Sequence, residues 1–181
     1  MGTPKVPQDV KLVCAITFSN RAHLDEIRSQ LESLFGEIEL TSAIYDFIYT
    51  EYYEAEMGSS LLKQFVAFRE LVPPHSLAAI KLLTNHLESH YTEGGKRRLN
   101  LDPGYISAAK LVLATTKNYD HRLYLNKGIY GDIQLKIRDK RFLTNEWTYP
   151  DYAAAHSIQF FEQVRKVYLK QLRERNERNK L

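Results

Sequence analysis

Val10, Leu12, Cys14, Ile16 and Phe18 alternate with more polar neighbours, which predicts a strand over residues 10 to 18 with one apolar face. Leu24, Ile27, Leu31 and Leu34 then recur at spacings of three and four, the period of an amphipathic helix. Asn20 or His23 stands near its start and Gly36 at its end. Ile38 to about Phe47 reads as a second strand, and the acidic, Tyr-rich TEYYEAEMGSS as the next connection. A third strand runs from about Leu62 to Leu71, with Phe65 and Ala67 on one face and Val66 and Phe68 on the other. Pro73 and Pro74 open a second helix striped by Leu77, Ile80, Leu83, Leu87 and Tyr91, and Gly94-Gly95 ends it. Arg97 to Leu101 is a fourth strand. The order β-α-β-β-α-β predicts an α+β fold with a ferredoxin-like antiparallel sheet and two helices on one face.

The second half adds to that unit. Asp102 followed by Pro103 makes a helix entrance, an N-cap acid with proline at the first helical position, and Ile106, Lys110 and Leu113 would share a face. Asp-Pro-Gly can also turn into a strand, because Leu111-Val112-Leu113 suits either form; the helix is favoured. Arg122 to Leu125 and Ile129 to Arg138 form an added β-hairpin around Asn126-Lys127-Gly128, with Ile133, Leu135 and Ile137 inward. After Asp151, Ile158, Phe161, Val164, Tyr168 and Leu172 predict a long C-terminal helix over about residues 152 to 178. No repeat or linker divides the chain, so residues 1 to 181 are expected to be one domain, with a core over about 10 to 150.

Composition narrows the class. The 181 residues are 44% hydrophobic and 26% charged, which excludes a disordered chain. No apolar run approaches the roughly 20 residues of a membrane span, and the N-terminal segment carries no small-residue cleavage site. The single Cys14, alternating with Leu12 and Ile16, reads as a core thiol in a reducing compartment, so a cytoplasmic protein is expected. The net charge of +3 hides a pattern: residues 1 to 93 carry 7 Lys/Arg against 13 Asp/Glu, whereas residues 94 to 141 carry 11 against 4. The tail from Arg165 is again basic, with seven cations against Glu174 and Glu177, as a solvated helix end often is.

Several chemistries lack their residues. Gly94-Gly95-Lys96 has no earlier glycine of a P-loop, and Arg97 stands where a hydroxyl would hold magnesium. No GxGxxG follows a strand, and Ser59 and Ser60 have no GxSxG frame. His86 and His90 lie four apart, but HLESH is not HExxH and no Cys supplies a third ligand, so no metal site is expected. Nucleic-acid binding is disfavoured, since the cations are not interleaved with a recognisable motif. An acidic cluster remains, Glu51, Glu54 and Glu56 beside Tyr49, Tyr52 and Tyr53; close carboxylates can divide acid and base roles or hold a divalent cation together. Against it stands the basic segment. Lys110, Lys117, His121 and Arg122 suit a phosphate or carboxylate, with His121 as a proton shuttle and Asp102 as its orienting partner.

The words YYEAEMG, IKLLTNHLE, NLDPGY, KLVLATTK, HRLYL, GIYGDI and WTYPDY, in this order, resemble an uncharacterised prokaryotic family, the domain of unknown function numbered 4416. The resemblance spans nearly the whole chain and implies no reaction. Some members are labelled GTP-binding, which the missing P-loop does not support. It directs attention to Glu54, Glu56, Asn100, Asp102, Tyr105, Lys110, Lys117, His121, Arg122, Trp147, Tyr149 and Asp151. Two expectations follow. One is a site for a small anionic ligand, a nucleotide or other phosphoester, lined by Asp102, Lys110, Lys117, His121 and Arg122 with Trp147, Tyr149 and Asp151 from the WTYPDY segment. No cofactor is identified. The other is a non-catalytic scaffold in which the basic segment meets the acidic Tyr-rich region of a second copy or a protein partner.

Overall fold

The computed structural model describes residues 2–19, 23–49, 57–58 and 60–178. Its centre is β1 (Val10–Phe18), buried along its entire length. The alternation expected to leave one side polar instead serves two cores, because both faces of the sheet are covered. On one face α1 (Leu24–Phe35) and α2 (Leu77–Ser89) press Leu24, Ile27, Leu31, Ile80 and Leu87 against Leu12, Cys14 and Ile16. On the other, α4 (Ala155–Arg178) lays Phe160, Phe161 and Val164 over Val13 and Ala15. Strand β4 (Leu62–Val72) divides as its alternation predicts, Val66 and Phe68 joining the first core and Phe65 and Ala67 the second. Each such apolar side chain contributes about 1.5–3 kcal/mol on burial. Phe65 also meets Tyr152 and Phe161 edge to face, with ring centroids 5.1 and 4.9 Å away.

Among the described residues the sheet is open, antiparallel and nine-stranded, larger than four strands and a hairpin. The second strand is two, β2 (Ile38–Thr41) and β3 (Tyr45–Asp46), both on β4. After α2, Gly94 and Gly95, both at positive φ, make the turn of a small hairpin of β5 (Thr92–Glu93) and β6 (Lys96–Arg97); the helix itself ends at His90. The fourth strand, β7 (Leu99–Ile106), starts later and runs farther than expected, followed by β8 (Lys110–Thr115). β9 (Arg122–Asn126) and β10 (Ile129–Arg138) form the expected hairpin, and β11 (Arg141–Thr144), unforeseen, completes the order β11-β10-β8-β7-β1-β4-β2. A register shift at Gln134 turns Ile133 toward the α2 side while Leu135 and Ile137 stay with the α4 core, so the three do not share a face.

The helix expected at Asp102-Pro103 is a strand. Residues 99 to 106 pair with β1 throughout, and Ser107 returns the chain into β8 through its N–H to the Lys110 carbonyl. The β7–β8 ladder is shorter, covering only Gly104 to Ile106. It begins just past Pro103, which has no N–H to give a ladder. Gly104 marks the pinch: a β-carbon there would sit 2.5 Å from the Val112 carbonyl oxygen and 2.7 Å from Leu113 Cδ2. Before Gly104 the two strands part, and the sheet is split.

Candidate functional site

The split leaves the main chain of Leu101 without a strand on the edge away from β1, and α2 fills the role. Glu88 Oε1 accepts the Leu101 N–H at 2.7 Å, and Lys81 Nζ donates to the Leu101 carbonyl at 2.6 Å. Lys81 also lies 3.7 Å from Glu88 and 3.4 Å from Asp102, while Arg97 donates to Glu88 at 2.9 Å. Burial pushes the Glu88 carboxyl above its ordinary pKa, with the opposing field of Lys81 the lesser effect. These buried charges are the price of the gap. They also revise the α2 stripe, which runs through Leu77, Ile80, Lys81, Thr84, Leu87 and Glu88, leaving Leu83 exposed.

Two cavities open around the split. The first, about 430 Å³, is walled by Phe47, Tyr49, Tyr119 and Tyr149 and carries Lys63, Lys117, Arg122, Asp102 and Asp151. The second, about 290 Å³, is polar, with Lys81, Asn85, Glu88, Arg97, Asn100, Asp102, Thr115, Thr116, Lys117 and Asp132 among its walls. Asp102, Lys117 and Tyr149 line both, so the cavities are chambers of one cleft.

Facing side chains hold the cleft in shape. Arg122 opens β9 opposite Asp132 of β10 and donates to it through Nε at 2.7 Å. Its other nitrogens donate to the Tyr149 hydroxyl at 2.9 Å and the Lys117 carbonyl at 3.1 Å, and the guanidinium lies 4.3 Å over the Tyr119 ring. Gln134, at the register shift, donates to the second Asp132 oxygen and accepts the Tyr149 N–H, which ties the WTYPDY segment to the sheet. Burial raises the Tyr149 hydroxyl to about 12 against the pull of Arg122. Lys63 of β4 donates to Asp151 at 2.6 Å and stands 4.7 Å over the Phe47 ring and 5.0 Å over Tyr152. Asp151 belongs to the single turn α3 (Pro150–Ala153) that leads into α4.

Of the residues singled out in the sequence, Asn100, Asp102, Lys117, Arg122, Tyr149 and Asp151 therefore converge on the cleft. Lys110 does not; it lies opposite Lys136 at the far end of β8. His121 and Trp147 line neither chamber. Their rings stack 4.9 Å apart, His121 Nε2 is 3.5 Å from Asp132 rather than near Asp102, and the Trp147 indole donates to the Ile133 carbonyl. Tyr105 packs on the α2 side, and Glu51, Glu54 and Glu56 lie outside the described residues. The pocket is not simply basic, since Lys63, Lys81 and Arg122 each face a carboxylate. Lys63, Lys81, Glu88, Asp132 and Gln134 were missed. Lys81 and Glu88 carried a signal, a helical spacing of seven with Thr84 between them on the side of Ile80 and Leu87. Lys63 and Asp132 gave none, because long-range pairing creates their partners.

His86 and His90 stand with rings 4.7 Å apart on the exposed side of α2, and no three His, Cys, Asp or Glu among the described residues are grouped to hold a metal ion. No described helix is long and apolar enough to cross a membrane. A family model, Domain of unknown function (DUF4416), matches residues 8–168. No curated protein and no solved structure matches the chain.

Proposed function

The chain belongs to the DUF4416 family, whose description names no reaction, and from the cleft itself we propose that the protein binds a small anionic ligand with a planar ring, a nucleotide or similar phosphoester. One observation carries this reading: four aromatic rings and the cations Lys63, Lys117 and Arg122 line the same chamber. Aromatic walls offer stacking, and cations beside them attract an anion. Arg122 acts here as a wall-forming residue, because its guanidinium is taken up by Asp132, Tyr149 and the Lys117 carbonyl. The order β7-β1-β4-β2, with α1 between β1 and β2 and α2 between β4 and β7, supports a ferredoxin-like unit as the scaffold, extended by the later strands and α4.

Calorimetric titration with nucleoside monophosphates at fixed ionic strength tests the reading. Saturable binding is expected, weakened about tenfold or more in Lys117→Ala and Tyr119→Ala, both exposed positions whose loss leaves the core intact. Absence of binding by any nucleotide or phosphate ester beyond the salt control overturns it.

A second reading, a scaffold joining copies of this chain, draws on β9, whose only partner among the described strands is β10 and whose Leu123 and Tyr124 are 70% and 61% exposed. An open edge with apolar side chains is suited to pairing. Light scattering after size exclusion would give a dimer mass lost in Leu123→Lys; a monomer at every concentration and salt excludes it.

A further inference from the structure

We infer that the polar chamber takes the sugar of the ligand, its vicinal hydroxyls donating to Asp102. This rests on the nucleotide reading above and adds what the second chamber recognises. Three carboxylates, Glu88, Asp102 and Asp132, border that chamber beside three cations, Lys81, Arg97 and Lys117, so it is polar without a net charge and offers carboxylate acceptors to hydroxyl donors. Two of the three carboxylates are committed. Glu88 accepts from Leu101 and Arg97, Asp132 from Arg122 and Gln134, and their side chains are only 7% and 1% exposed. Asp102 is 23% exposed and is the carboxylate that reaches both chambers.

Its geometry suits a diol. Each carboxylate oxygen has two acceptor positions. Asn100 Nδ2 occupies one on Oδ2 at 2.7 Å, and Lys81 approaches Oδ1 at 3.4 Å. Among the described residues each oxygen meets one donor, which leaves each an acceptor position for one of two adjacent hydroxyls. The neighbouring first chamber, with its rings and cations, then receives the base and the phosphate, and Asp102 sits at the junction where a ribose joins them.

The test compares ribose 5-phosphate with 2-deoxyribose 5-phosphate, and adenosine monophosphate with its 2′-deoxy form, by calorimetry on the full chain, with inorganic phosphate as the reference anion. The ribose forms are expected to bind at least about tenfold more tightly, since a hydroxyl that meets a charged acceptor is lost in the deoxy forms. Asp102→Asn should abolish that preference, the ribose and deoxyribose forms then binding alike. Ribose and deoxyribose forms of equal affinity on the wild-type protein, with phosphate still bound, overturn the inference and leave the nucleotide reading standing. No binding of any of them overturns both. The wild-type comparison decides the matter even if the variant fails to fold.

Discussion

Gly104 is the residue on which the split turns. With a β-carbon 2.5 Å from a backbone oxygen, no flexible side chain can yield, so Gly104→Ala must push β8 away from β7. Overpacking of this kind costs about 1–3 kcal/mol. A fall of that size in urea unfolding free energy is expected, with the slope unchanged; a neutral substitution would mean that the strands separate freely. At this scale the sequence was readable in identity but not in role. Arg122 and Asp102 stood out as polar residues among apolar ones, yet only the cross-strand partner Asp132 makes Arg122 a builder of the wall, and that partner sits ten residues away in a register the local pattern does not reveal.

Among the elements, α2 departs most from its pattern, and the departure has a cause. A buried lysine and glutamate would be expensive in a continuous sheet's shadow, but the parted strands leave the Leu101 N–H and carbonyl to be satisfied. The raised Glu88 pKa gives a sign to its pH dependence. In the folded chain the neutral carboxyl is favoured, so Glu88's contribution is largest below its unfolded pKa, about 4.5, and declines as pH rises through the folded value. Glu88→Gln keeps an acceptor for Leu101 without the charge. Wild type is therefore expected to gain stability relative to Glu88→Gln as pH falls from neutrality toward about 4.5, read from paired urea titrations; a constant difference over that range would contradict the burial effect. The elements with strong period, β1, α1, β4, the β9–β10 hairpin and α4, were legible. Asp-Pro-Gly was not, because its residue types suit a helix start as well as a strand, and only pairing with β1 decides between them.

For the whole molecule, buried tyrosines set an alkaline limit. Tyr91 and Tyr149 are pushed up to about 12, and burial also raises Tyr105, Tyr152 and Tyr168. Their unfolded pKa is about 10, so stability is held below that and lost as pH climbs toward 12. Thermal midpoints should stay level up to about pH 10 and then fall steeply, with a smaller alkaline drop in Tyr149→Phe. At this scale the two-sided cover of the sheet was only half visible, since α4 showed its own stripe but not which face of the sheet it would take. The division of charge along the chain was visible and misleading, because folding sets Lys63 against Asp151 and Arg122 against Asp132.

The split has one more consequence. It gives the sheet an internal edge, a length of strand with pairing groups turned toward space in the middle of the molecule rather than at its rim. Proteins guard outer edges with charged side chains so that no foreign strand can pair there. Lys81 and Glu88 guard this one from within, and by occupying the main chain of Leu101 they prevent β8 from zipping onward past Gly104. The cleft is thus propped open by the fold and stands ready before anything enters it.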